Sequence, residues 1–182
     1  MASCTFPPLA ESMTFENFKR YDAVETAFKT AKEIADNPGE LIWLALLGAS
    51  GTGKTHLGVA ICKAWINRGI AARYAFTSLL LEELREGFNQ DKGKDSYFQR
   101  WSYYCNVPLL LLDDYGTESR TPWVQEKLDA LIDYRLMNNK SLIITSNNSL
   151  DEMPGRVKSR LIRHPRKQIV AIIADDYALR GK

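Results

Sequence analysis

Eight consecutive residues, Gly48-Ala49-Ser50-Gly51-Thr52-Gly53-Lys54-Thr55, have the types and spacing that hold a nucleoside triphosphate. Glycines here let successive backbone N–H groups turn inward onto an anion at a helix N-terminus, where unpaired donors and the helix dipole favour negative charge. Lys54 would reach the β- and γ-phosphates, the Thr55 hydroxyl would ligate a magnesium ion, and His56 would complete the nucleotide-binding set. The competing reading, a plain Gly/Ser/Thr turn, leaves the full set of fixed positions unexplained.

Two further groups of residues have matching chemistry. Asp113 and Asp114 follow four leucines, Leu109 to Leu112. A carboxylate at Asp113 would hold the magnesium, and Asp114 would orient or deprotonate the attacking water, although paired acids also end strands at a surface. Asn147 closes a later apolar run, where its neutral amide would hold the water or a γ-phosphate oxygen, or else serve an Asn-Asn turn. Arg156, Lys158, Arg160, Arg163, Arg166 and Lys167 crowd together with His164. They read equally as a source of transition-state charge for a neighbouring subunit, a solvated basic face or contacts to nucleic-acid phosphates.

Positioning these groups requires strands that alternate with helices. The apolar run Leu41 to Leu47 enters the glycine-rich loop, and a helix from Gly53 carries Leu57, Ile61, Ala64 and Trp65 on one face before a stop near Gly69. Upstream, Asp22 with Glu25 resembles a capping box opening a helix to about Asp36. Phe15 and Phe18 of Thr14-Phe15-Glu16-Asn17-Phe18 either lie over a base or seal the domain edge. Further strands are expected over Ile70 to Phe76, Val107 to Leu112, Ser141 to Ser146 and Gln168 to Ile173. Helices are expected over Ser78 to Phe88, Ser96 to Tyr104 after a turn holding Lys92, Gly93 and Lys94, from Thr121-Pro122 through Leu136, and over Gly155 to Ile162. This order predicts a parallel sheet with right-handed crossovers and a ligand at the carboxyl ends of its strands.

Composition narrows the class without naming a chemistry. The 182 residues suit one domain, and a net charge of +2 is too small to mark a nucleic-acid binder by itself. No long apolar run or basic-then-apolar N-terminus is present, so a cytoplasmic protein without a membrane partner is expected. Cys4, Cys62 and Cys105 are odd in number and widely spaced, which reads as reduced thiols rather than a disulfide framework or metal cluster.

The series GASGTGKT, LLLLDDYG, TSN and SRL, in this order and separation, resembles the AAA+ ATPases of the DnaC/IstB group, the bacterial helicase loaders and their transposition relatives. The resemblance runs from about Thr14, where TFENF is similar to the family's lead-in, to the C-terminus. It implies a three-layer phosphate-loop fold with a five-stranded parallel sheet in the order 5-1-4-3-2, an extended lead-in over residues 1–13 and an ATPase domain over 14–182. It further implies Walker A at Gly48 to Thr55, Walker B at Asp113 and Asp114, sensor 1 at Asn147 and an arginine finger at Arg160, with Arg163 in reserve. Aspartate at the second acid position is common in this group, where other AAA+ proteins carry glutamate.

The implied cofactors are ATP and Mg2+. The implied partners are single-stranded DNA, a replicative helicase and further copies of the chain meeting at the ATP site. The helical pair between the second and third strands resembles an insertion that lines a single-strand channel. Arg85, Lys92, Lys94 and Arg100, among Phe88, Tyr97, Phe98 and Trp101, suit that role or an ordinary hairpin. Two departures stand out: only residues 1–13 precede TFENF, where loaders carry a helicase-binding domain, and no helical lid follows the last strand. Arg180 resembles a C-terminal arginine of the family. The rival readings are a transposition helper acting on duplex DNA, a small-molecule kinase and a non-hydrolysing ATP switch.

Overall fold

Five apolar runs form the strands of one sheet, and the amphipathic segments between them form the helices that cover its faces. The structure, a computed structural model, describes residues 6–89, 93–119, 121–174 and 176–177. Cys4, Lys92 and Arg180, and the side chains of Phe88 and Lys94, lie outside the described residues. After a short 3-10 helix at Pro8–Ser12 come α1 (Asp22–Asp36), β1 (Trp43–Gly48), α2 (Lys54–Asn67), β2 (Ala72–Phe76), α3 (Thr77–Asn89) and α4 (Gly93–Asn106). The chain continues through β3 (Leu109–Asp113), α5 (Pro122–Met137), β4 (Ser141–Ser146), α6 (Gly155–Arg163) and β5 (Lys167–Ile172). All pairings are parallel in the order β2-β3-β4-β1-β5, the predicted order read from the opposite edge.

Period-two alternation divides the strand side chains between two apolar layers. Trp43, Ala45 and Leu47 with Leu110, Leu112 and Ile144 pack against α3 to α6, while Leu44, Leu46, Leu109, Leu111 and Ile143 pack against α1 and α2. Burial on both faces is why the strands read as continuous rather than alternating apolar runs. Cys62 and Cys105 are buried in these layers. No helix among the described residues is long and apolar enough to cross a membrane.

Local chemistry shifts several boundaries. The expected capping box at α1 does not form: the N-cap is Tyr21, whose side chain does not cap the helix, and Arg20 draws Glu25 into an ion pair at 2.7 Å. Thr121 does cap α5, its Oγ1 accepting from the Val124 N–H at 3.3 Å ahead of Pro122. Gly93 and Lys94, read as a turn, belong to α4. The third strand starts at Leu109, after Pro108 has given its carbonyl to the Ser141 N–H; proline itself has no N–H for the ladder.

Arg135 of α5 is fully buried and has no carboxylate partner among the described residues. Its guanidinium instead donates to the carbonyls of Tyr104, Cys105, Val107, Pro108 and Ser141, tying the end of α4 to the entries of β3 and β4. Burial pulls its pKa down to about 9, so it remains a cation at neutral pH. Arg135→Met would strand those carbonyls away from water, and a loss of about 3 kcal/mol or more is expected in the urea unfolding free energy. An unchanged unfolding midpoint would show that the carbonyls find other donors.

His164, just after α6, is buried and stacks on Trp43 with ring centroids 4.8 Å apart. Its Nδ1 accepts the Arg166 N–H at 3.1 Å. Burial holds its pKa below the ordinary histidine value. Protons therefore favour the unfolded chain: this contribution to stability is present above about pH 6.5 and is lost as pH falls toward and through the folded value. Thermal unfolding of the wild type should weaken across that window, and His164→Gln should flatten the dependence. A parallel decline in both would assign the acid sensitivity elsewhere.

Candidate nucleotide site

The loop after β1 owes its shape to glycines that no other residue replaces cheaply. Gly48 has φ +145°, and a Cβ there would lie 2.3 Å from the Ile172 carbonyl oxygen of the neighbouring β5. Gly53, at φ +90°, is the left-handed N-cap of α2, and a Cβ there would lie 2.7 Å from the Phe18 ring. The loop and the first turn of α2 floor a cleft of about 580 Å3 at the carboxyl end of the sheet, also lined by Asp113, Asp114, Thr145, Asn147, Phe18, Tyr21 and Tyr177. That volume is in the range of small-ligand sites.

Lys54 is buried, and its Nζ donates to the carbonyls of Gly48 at 2.8 Å and Ala49 at 2.6 Å, with Thr52 Oγ1 at 3.4 Å. Burial lowers its pKa, while the carboxylates of Asp114 and Asp113 oppose the shift. An ammonium held this way has little hydration left, so an incoming anion gains a strong charge-assisted partner.

Asp113 is the hub of the site. Its Oδ1 accepts from the hydroxyls of Thr55 at 2.8 Å and Thr145 at 2.6 Å, Oδ2 accepts from the Tyr74 hydroxyl at 2.9 Å, and its main-chain oxygen accepts from Thr77 Oγ1 at 2.8 Å. Burial foremost, with Asp113 beside it, pushes the Tyr74 phenol above its ordinary pKa. The adjacent oxygens of Thr55 and Asp113 are hard donors of the type magnesium takes. Among the described residues no group of three or more His, Cys, Asp and Glu side chains surrounds a metal position. Thr55 and Asp113 would suit magnesium, which typically takes one or two protein oxygens and fills the rest of its shell with phosphates and water.

Asp114 leaves the strand at φ +56°, a left-handed conformation that aspartate tolerates better than most side chains. Its N–H donates to Thr145 Oγ1 at 2.9 Å, and its Oδ1 accepts from Asn147 Nδ2 at 2.9 Å. Thr117 Oγ1 donates to its Oδ2 at 3.2 Å. Asn147 is exposed on the cleft side. The structure thus gathers Lys54, Thr55, Asp113, Asp114 and Asn147 into one cleft, from two strand ends and one helix start.

Arg160 does not line that cleft. On α6 it pairs with Asp129, at 3.2 Å, and Asp133 of α5, and only 14% of its side chain is exposed. Arg163, one turn on, is exposed. In the α3–α4 pair, Arg85 lies over the Trp123 ring at 4.9 Å, Arg100 donates to the Glu83 carbonyl, and Tyr97 is buried. Of the candidate stacking side chains there, Phe98 stands out at 63% exposed.

Four residues around the cleft went unassigned or unresolved in the sequence. Phe18 packs on Phe28 and edge-on against His56, whose Nε2 lies 2.7 Å from the Thr14 carbonyl, so the lead-in both seals the domain and walls the cleft. Thr145 sits two residues before Asn147, and strand alternation placed it on the same side. Tyr177 returns after β5 to donate its N–H to the Gly51 carbonyl at 3.1 Å and to stack on Tyr21. Tyr74 carried no local signal, because its contact with Asp113 arises only from strand pairing.

The family whose model matches residues 31–161 is described as IstB-like ATP binding protein. The chromosomal replication initiator protein DnaA of Bordetella pertussis is 33% identical over 157 residues, which cover 85% of this chain and 32% of that protein. The chain therefore spans about a third of the length of that initiator. A crystal structure of the DnaC helicase loader superposes with a TM-score of 0.77 at 28% identity, covering 92% of this chain and 100% of that one. The replication initiator DnaA bound to AMPPCP and single-stranded DNA superposes with the same TM-score of 0.77 at 26% identity, covering 90% of this chain and 50% of that one.

Proposed function

Because the chain belongs to the IstB-like ATP-binding protein family of AAA+ domains, we propose that it hydrolyses ATP between subunits, grips single-stranded DNA and loads or remodels a replicative helicase. The observation that carries this reading is the single cleft holding Lys54, Thr55, Asp113, Asp114 and Asn147 in a chain similar to a helicase loader over that loader's whole described length.

Each side chain has a task that follows from its position. The loop N–H groups and Lys54 take up phosphate charge, and Thr55 with Asp113 would hold the magnesium. When bound, that ion neutralises charge on the β- and γ-phosphate oxygens. Asp114 accepts the proton of the attacking water, and Asn147, bonded to Asp114, fixes where that water sits. Arg160 serves the cleft of a neighbouring copy, since it lies outside its own. The exposed Phe98 of the α3–α4 pair offers a stacking face for a base.

ATP turnover of the wild type as a function of protein concentration, with and without single-stranded DNA, tests the reading. Turnover per subunit should rise with concentration and respond to single strands. Turnover indifferent to both would point to a monomeric phosphotransferase, and a response confined to duplex DNA to a transposition helper.

A further inference from the structure

Resting on the ATP-binding reading above, we infer that Tyr74 positions the Asp113 carboxylate for the magnesium ion. Asp113 presents two unlike oxygens. Oδ1 faces the phosphate loop, where Thr55 and Thr145 reach it, and Oδ2 faces β2, where the Tyr74 hydroxyl donates to it at 2.9 Å. The register explains the reach: β2–β3 pairing sets Tyr74 opposite Leu111 and Phe76 opposite Asp113, so the long phenol runs two residues toward the carboxyl end. No shorter side chain at position 74 would span that step.

Tyr74 is itself held from behind. The Phe6 ring packs against it with centroids 6.3 Å apart. Lys63 of α2 lies over Phe6 at 5.5 Å and donates to the carbonyls of Ala10 and Glu11, which pins the lead-in in place. A braced donor on Oδ2 stops the carboxylate from rotating and keeps Oδ1 beside Thr55. Tyr74 does not line the cleft, so it acts through Asp113 and touches neither nucleotide nor reacting atoms. Outer partners of this kind typically change metal affinity by about tenfold or more when removed.

The test compares ATP binding by the full chain, by calorimetry, across a magnesium titration and in EDTA. Tyr74→Phe should bind ATP in EDTA as the wild type does, and should need about tenfold more Mg2+ for half of the metal-dependent gain in affinity. Its kcat at low Mg2+ should fall and recover as Mg2+ is raised. Phe6→Ala, which keeps the hydroxyl and loosens its brace, should shift the magnesium midpoint in the same direction by less. Wild-type magnesium midpoints in both variants would overturn the inference while leaving the ATP reading intact. A wild type whose ATP affinity ignores Mg2+ would likewise overturn the inference alone, and a wild type that binds no ATP with or without Mg2+ would overturn the ATP reading and this inference with it.

Discussion

Arg160→Ala is expected to lower ATP turnover about 10³-fold while leaving ATP binding unchanged, the effect of removing an arginine that acts on a neighbour's phosphates. The structure keeps this guanidinium away from its own cleft and fixes it on Asp129 and Asp133 of α5. Held in that way, it loses little freedom on meeting a second subunit, and the two carboxylates set its direction. Mixing distinguishes action between subunits from action within one. Arg160→Ala chains retain an intact cleft and Lys54→Ala chains retain an intact arginine, so together they should recover turnover that neither shows alone. Turnover that survives Arg160→Ala but collapses in Arg163→Ala would move the role one turn along α6, to the exposed arginine. Turnover indifferent to both would remove the intersubunit reading.

Asp114→Asn should retain ATP and lose turnover by about 10²-fold or more, the usual size of a general-base contribution. The substitution is conservative in shape. Asparagine accepts the left-handed backbone at φ +56°, and the N–H bond to Thr145 Oγ1 does not involve the side chain. What changes is the charge, and Oδ2, which accepts from Thr117 Oγ1 at 3.2 Å, becomes an NH2 donor, while Oδ1 still accepts from Asn147 Nδ2 at 2.9 Å. Asn147→Ala should therefore lower turnover as well, and the two losses should not add, because the pair acts on one water. Full function in Asp114→Asn with no turnover in the wild type would identify an ATP switch whose output is binding alone.

The sequence by itself determined the element order and the residues gathered at the cleft, and the sheet order followed from the family resemblance that its motifs carry. The first two are written locally. Glycines mark the positive-φ turns of the loop, unbroken apolar runs mark strands buried on both faces, and Asp113 and Asn147 stand at or just beyond the ends of such strands, where a parallel sheet gathers its ligands. Errors fell where two local signals competed: Glu25 answered Arg20 rather than a helix cap, and Gly93 entered α4 instead of a turn. Only the tertiary structure decided which residues support the site from the side. Tyr74 meets Asp113 because β2 pairs with β3 in one register, Arg135 finds its carbonyls because α4 ends beside the entries of β3 and β4, and Phe18 covers Gly53 because the lead-in docks on α2. These contacts join segments far apart in the chain, and lateral pairing leaves no periodicity in the residues that make it.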